Sequence, residues 1–84
     1  MLTMSNALSL DELTLEVMSR CLEISVDSCK EARWRETEAW DSFAFVEIVA
    51  ELEERLGISL SEADIENVSD YRDLASALRK VTGV

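Results

Sequence analysis

Asp41 and Ser42 are the residues of this chain best placed to do chemistry. They stand at the head of an apolar and acidic pattern over residues 43–56 that repeats with the period of a helix. A helix N-terminus presents unpaired N–H groups and a partial positive charge, so it accommodates a phosphate. A serine hydroxyl at that point is suited to carry a phosphate-linked group. The competing reading is that Ser42 is only part of a helix cap.

Other chemistries are poorly supplied. The chain has no histidine, so it has no Ser-His or Cys-His nucleophilic pair. Cys21 and Cys29 are its two cysteines, so a zinc ion would find at most two thiolates, and no metal site is expected. No glycine-rich phosphate loop is present. The many carboxylates read as a solvated helix surface, and the chain is expected to be non-catalytic. Cys21, at helical spacing from Val17, reads as a core thiol and Cys29 as a loop thiol, both reduced; a disulfide is the alternative.

The composition bounds the rest. Eighty-four residues make one small domain, 1–84, with 1–8 expected to be a flexible N-terminus. Apolar residues make up 48 % of the chain, enough for one compact core. With no proline and only two glycines, regular helices are favoured. Acids outnumber bases 18 to 8, and the net charge of −10 argues against nucleic acid and towards basic partner surfaces. Residues 1–9 show no basic stretch followed by an apolar run, so no secretory signal is expected. No stretch approaches the roughly 20 apolar residues of a membrane span. A cytoplasmic monomer is the expectation.

The elements that must position Ser42 read as capped helices. Ser9 and Glu12 form a capping box, with Leu8 and Leu13 as its hydrophobic staple. The first helix follows, with Leu10, Leu13, Val17, Cys21 and Ile24 as its apolar stripe and an end near Ile24. Residues 25–40 carry mixed charge and two tryptophans, Trp34 and Trp40, without a clean period, and read as a long functional loop with room for a helical turn over 27–32. Asp41 then caps the second helix, with Trp40 and Phe45 as staple residues. Gly57 ends it, Ser61 and Asp64 open a short third helix ending near Val68, and Ser69 or Asp70 caps a last helix with Tyr71, Leu74, Ala75, Leu78 and Val81 as its stripe. The expected fold is an all-α four-helix bundle of three long helices and one short, with Leu13, Val17, Phe45, Val49, Leu52, Ile65, Leu74 and Leu78 in the core.

At about 100° per residue, Phe45, Ile48, Val49, Leu52 and Leu56 share one face of the second helix. The other face holds Phe43, Glu47, Ala50 and Glu54, flanked by Val46 and Glu51. An aromatic ringed by acids is a common interface pattern. The alternative is that Phe43 folds under the long loop.

Residues 40–58 resemble the core motif of acyl carrier proteins. Asp41-Ser42-Phe43 stands where that family has Asp-Ser-Leu, followed by Val46-Glu47-Ile48 and by Leu52-Glu53-Glu54. The order of helices along nearly the whole chain is also similar to the family's. The resemblance implies an acyl-carrier-type bundle whose Ser42 receives 4′-phosphopantetheine from coenzyme A through a separate phosphopantetheinyl transferase. The arm's thiol would bear an acyl group for acyl-loading and acyl-processing enzymes (an acyltransferase, a ketosynthase or an adenylating ligase). Asp41 would cap the helix and orient Ser42. Glu47, Glu51 and Glu54 would steer the carrier to basic patches, and Phe43, Val46 and Ala50 would form the apolar centre of the interface.

Departures from the family pattern refine this. Phe43 replaces the usual leucine, and Trp40 before Asp41 is more typical of stand-alone carriers of specialised pathways. Trp34 belongs either to a lid over the arm or to the core. These features lean towards a dedicated carrier of a polyketide, fatty-acid-like, hybrid or other specialised pathway rather than the fatty-acid housekeeping carrier. Two alternatives stay open: a peptidyl or aminoacyl carrier, and an acidic helical adaptor without a prosthetic group.

Overall fold

The computed structural model describes residues 9–83, which form five helices: α1 (Leu10–Leu22), α2 (Val26–Glu31), α3 (Ser42–Leu56), α4 (Glu62–Ile65) and α5 (Tyr71–Thr82). There is no strand among the described residues. The bundle is all-α as the patterning requires, with three long helices. The difference from the expected four lies in the connection after α1. Its first part folds into α2, where the Ser25 hydroxyl caps the helix by accepting the Ser28 N–H at 3.1 Å. Cys29 is the anchor of this short helix and is fully buried. One buried side chain in six residues is too little to leave a periodic signal.

Caps set the boundaries. Ser9 and Glu12 exchange both bonds of a capping box at 3.1 Å each. Leu8, the staple partner expected for Leu13, lies outside the described residues, as does the 1–8 segment. α1 ends at Leu22, earlier than Ile24, because Glu23 turns left-handed at φ 59° and closes onto the Ser19 carbonyl. Gly57 ends α3 at φ 65°, a conformation that costs a side-chain-bearing residue about 1–2 kcal/mol. Ser61 and Asp64 form the second capping box, and α4 ends at Ile65, short of Val68. Asp70, not Ser69, caps α5, accepting the Arg72 and Asp73 N–H groups at 3.0 and 3.1 Å.

α1 is the central element, packing on α2, α3 and α5, while α4 rests on α5. Val17, Met18, Ile48, Leu52, Leu74 and Leu78 are fully buried, each worth about 1.5–3 kcal/mol against exposure. Thr14 is buried with them, its hydroxyl donating to the Leu10 carbonyl at 2.7 Å. Of the expected core, Val17, Phe45, Leu52, Leu74 and Leu78 are buried. Leu13, Val49 and Ile65 are half-buried at its edge. The thiols exchange the places expected of them: Cys29 is in the core and Cys21 half-buried, and both are free. α1 faces three neighbours rather than one, so Leu15, Met18 and Leu22 join Val17 inside and push Cys21 to the rim.

Candidate functional site at the head of helix α3

Asp41 holds the start of α3. Its backbone is extended, its carboxylate accepts the Ala44 N–H at 2.8 Å and its carbonyl accepts the Phe45 N–H at 2.9 Å. Trp40 and Phe45 pack across the cap with ring centroids 5.6 Å apart, the staple expected of them. The N–H groups of Ser42 and Phe43 lie in the first turn, where no helical carbonyl can reach them. Ser42 is exposed beside them. An anion at Ser42 therefore meets open backbone donors and the positive end of the helix dipole.

Two grooves meet at Ser42. The first, of about 440 Å³, runs between α3 and the segment 58–65. Phe45, Val46, Val49 and Ala50 form one wall, Leu60 and Ile65 the other, and Trp34 lies at its side. Glu53 also borders this groove, but its carboxylate accepts the Leu60 N–H at 2.7 Å, so it acts as a strut for the opposite wall. The groove suits an apolar chain leading away from Ser42. The second groove, of about 510 Å³, lies on the other side of Trp34, between residues 34–38 and the Trp40-Asp41-Ser42 corner.

Trp34 divides the two. Its ring meets Phe45 edge-on at 4.6 Å and lies 6.0 Å from Trp40. Its backbone N–H donates to the Ser69 carbonyl at 2.7 Å, which ties the long connection to the start of α5. Trp34 is half-buried and packs on the core, as the core reading expects. Trp40 is 1 % exposed, and its indole Nε1 has no hydrogen-bond partner among the described residues.

The outer face of α3 is as the periodicity places it. Phe43 is 74 % exposed and Val46 68 % exposed, so Phe43 does not fold under the loop. Glu47, Ala50 and Glu54 are exposed with them. Glu51 differs. It is half-buried, bonded to Arg55 at 3.0 Å and paired with Arg20 of α1 at 3.5 Å, while Arg55 also reaches Glu16 at 2.9 Å. The Glu51–Arg55 spacing is legible in sequence as an i, i+4 pair. The α1 partners Arg20 and Glu16 are not, because only the packing of α1 on α3 brings them there. Cys21 sits in the same corner, and its thiol is pushed up from 9.0 by burial and by the Glu47 and Glu51 carboxylates.

A family model described as the phosphopantetheine attachment site matches residues 12–78, most of the chain and all of α3. No curated protein and no solved structure matches it. Proteins of this family carry a covalently attached 4′-phosphopantetheine, are generally non-catalytic, and work with a phosphopantetheinyl transferase and biosynthetic enzymes. The residues around Ser42 fit that group: open helix N–H donors for a phosphodiester and an apolar groove for what extends from it. None of the helices among the described residues is long and apolar enough to cross a membrane. The family's covalent group sets aside the adaptor reading, and this chain belongs to the phosphopantetheine-binding carrier proteins.

Proposed function

We propose that Ser42 is the attachment point of the 4′-phosphopantetheine arm and that the chain shuttles an acyl group between enzymes of a specialised biosynthetic pathway, polyketide or hybrid in type. When attached, the arm supplies the thiol that holds the acyl group as a thioester. The observation that best supports this reading is the exposed Ser42 at an N-terminus with open N–H groups, flanked by an apolar groove. Asp41 fixes the first turn through Ala44 and so orients the serine. No base is needed on this chain, because the transferase brings its own catalytic groups.

The exposed face supports transient docking. Phe43, Val46 and Ala50 form an apolar centre, and Glu47 and Glu54 lie exposed beside it, without an ion pair among the described residues, for basic enzyme surfaces. Glu51 belongs to the same face, with its charge partly matched by Arg20 and Arg55. Acyl cargo is favoured over peptidyl cargo by the largely apolar lining of the α3 groove, where the Glu53 carboxylate is already bonded to Leu60.

Intact mass after incubation with coenzyme A, magnesium and a broad-specificity phosphopantetheinyl transferase tests the attachment. A gain of one arm in the parent chain and none in Ser42→Ala is expected. No gain in a folded parent chain would sink the assignment.

A further inference from the structure

Trp34 and Ser42 are the two residues that line both grooves. A chain attached at Ser42 therefore starts out beside the Trp34 ring, with a groove on either side of it. The two sides differ in chemistry. The second groove sets one arginine, Arg35, against three carboxylates, Glu36, Glu38 and Asp41. That excess of negative charge repels an anionic phosphodiester, and charged walls give an apolar chain no shelter from water. The groove beside α3 has the opposite lining. Val46, Val49, Ala50, Leu60 and Ile65 offer aliphatic surface, and the one carboxylate there, Glu53, is already bonded to the Leu60 N–H.

Trp34 is built as a fixed wall between them. Its ring stands edge-on to Phe45 at 4.6 Å and lies 6.0 Å from Trp40, and both of those rings are buried. The Arg35 guanidinium lies 5.8 Å from its centre, a cation–π contact. Its backbone N–H is tied to the Ser69 carbonyl at 2.7 Å. The next residue, Arg35, is left-handed at φ 76°, an unfavourable conformation for a residue with a side chain. The Glu36 and Thr37 N–H groups, bonded to the Arg33 carbonyl, and the Arg33 N–H, bonded to the Thr37 hydroxyl, hold that turn. Strain of this kind persists where the surroundings over-determine it, and it clusters at binding sites. A spacer between α2 and α3 needs neither the strained turn nor an indole left half-exposed at the helix head. The part of the ring that the core leaves open borders the groove.

We infer that Trp34 is the specificity-determining residue for the cargo: its ring is the side wall against which an aliphatic acyl chain lies in the α3 groove, and it screens that chain from the charged groove behind. This rests on Ser42 being the attachment point. A cargo rich in polar groups gains nothing from this wall, since the groove's one carboxylate is taken. Trp34 is a positioning residue and takes no part in bond making.

The test uses the full chain labelled with nitrogen-15 and carbon-13, loaded by the transferase from coenzyme A or from octanoyl coenzyme A, with intact mass confirming each form. The chain has two tryptophans, so its spectrum holds two indole N–H signals, and Trp34→Phe identifies which is which. The Trp34 signal is expected to differ between the two loaded forms. Nuclear Overhauser contacts should run from the octanoyl methylenes to the Trp34 ring and to the Val49 and Leu60 methyls, and none to residues 36–38. In Trp34→Ala, with folding checked by its melt, hydroxylamine should cleave the octanoyl thioester about tenfold faster than in the parent, the effect of about two methylenes returned to water. Trp34→Phe, which keeps an aromatic wall, should restore most of the protection. Octanoyl contacts to residues 36–38 in the parent, or none to the Trp34 ring, would overturn the role of Trp34 whether or not Trp34→Ala folds. So would equal cleavage of the parent and a folded Trp34→Ala. No mass gain in the folded parent would overturn this role and the attachment together.

Discussion

The Glu53 carboxylate accepts the Leu60 backbone N–H at 2.7 Å, reaching across the Gly57 turn from one wall of the apolar groove to the other. Two residues seven apart in sequence therefore set the width of the space beside Ser42. Gly57 makes this possible by closing α3 with two N–H groups, its own and that of Ile58, both donating to the Glu53 carbonyl.

Glu53→Ala should lower stability by about 1.5–3 kcal/mol, the range for a hydrogen bond to a charged group whose loss leaves its partner unpaired. Glu53→Gln, which can still accept from Leu60, should recover about half. Urea denaturation of the three chains checks this. Equal midpoints would mean that the strut contributes nothing.

Ile48 and Val49 are neighbours in sequence with different surroundings. Ile48 is fully buried, and Ile48→Ala should cost about 2–5 kcal/mol. Val49 is half-buried and lines the groove, so Val49→Ala should cost only about 1 kcal/mol and widen the space beside Ser42. Thermal melts of both variants separate the two positions.

Three of the four acids of α3, Glu47, Glu51 and Glu54, should divide by role. Glu47→Gln and Glu54→Gln should slow modification by the transferase at low salt, reduce its dependence on ionic strength, and leave stability within about 0.5 kcal/mol. Glu51→Gln should lower stability by about 0.5–1 kcal/mol, because it removes the charge that Arg20 and Arg55 share. Initial rates of modification across a salt series, with melts alongside, measure both effects. Identical behaviour of the three variants would refute the division.

Burial pushes the Cys29 thiol up from 9.0, and Cys21 is raised by burial and by Glu47 and Glu51. For an acid raised on folding, the stabilising contribution is complete below the unfolded pKa of 9.0 and is lost as pH rises through the folded value. Stability should therefore fall above about pH 9, and Cys29→Ala should flatten that fall while costing packing throughout. Thiol labelling of the native chain should modify Cys21 first, with Cys29 following at the rate of opening. Simultaneous labelling of both would show that α2 does not shield its cysteine.

The helical class and the place of Ser42 at a helix head were legible in the residues alone. Both depend on local physics: the caps at Ser9, Asp41, Ser61 and Asp70, the left-handed glycine ends, and a helical period over 43–56 that leaves Phe43 and Val46 outside. α2 was only faintly legible, since its one buried residue, Cys29, gives no period. Tertiary structure alone decided which thiol is inside, how Glu51 is paired, and how the two grooves form around Trp34. The first two join segments far apart in the chain, as Arg55 with Glu16 does, and the grooves depend on a bond of the same kind, Trp34 with Ser69. Periodicity reports which side of a helix is apolar. It carries no information on which neighbour will cover that side, and the neighbours are what give Ser42 its two grooves.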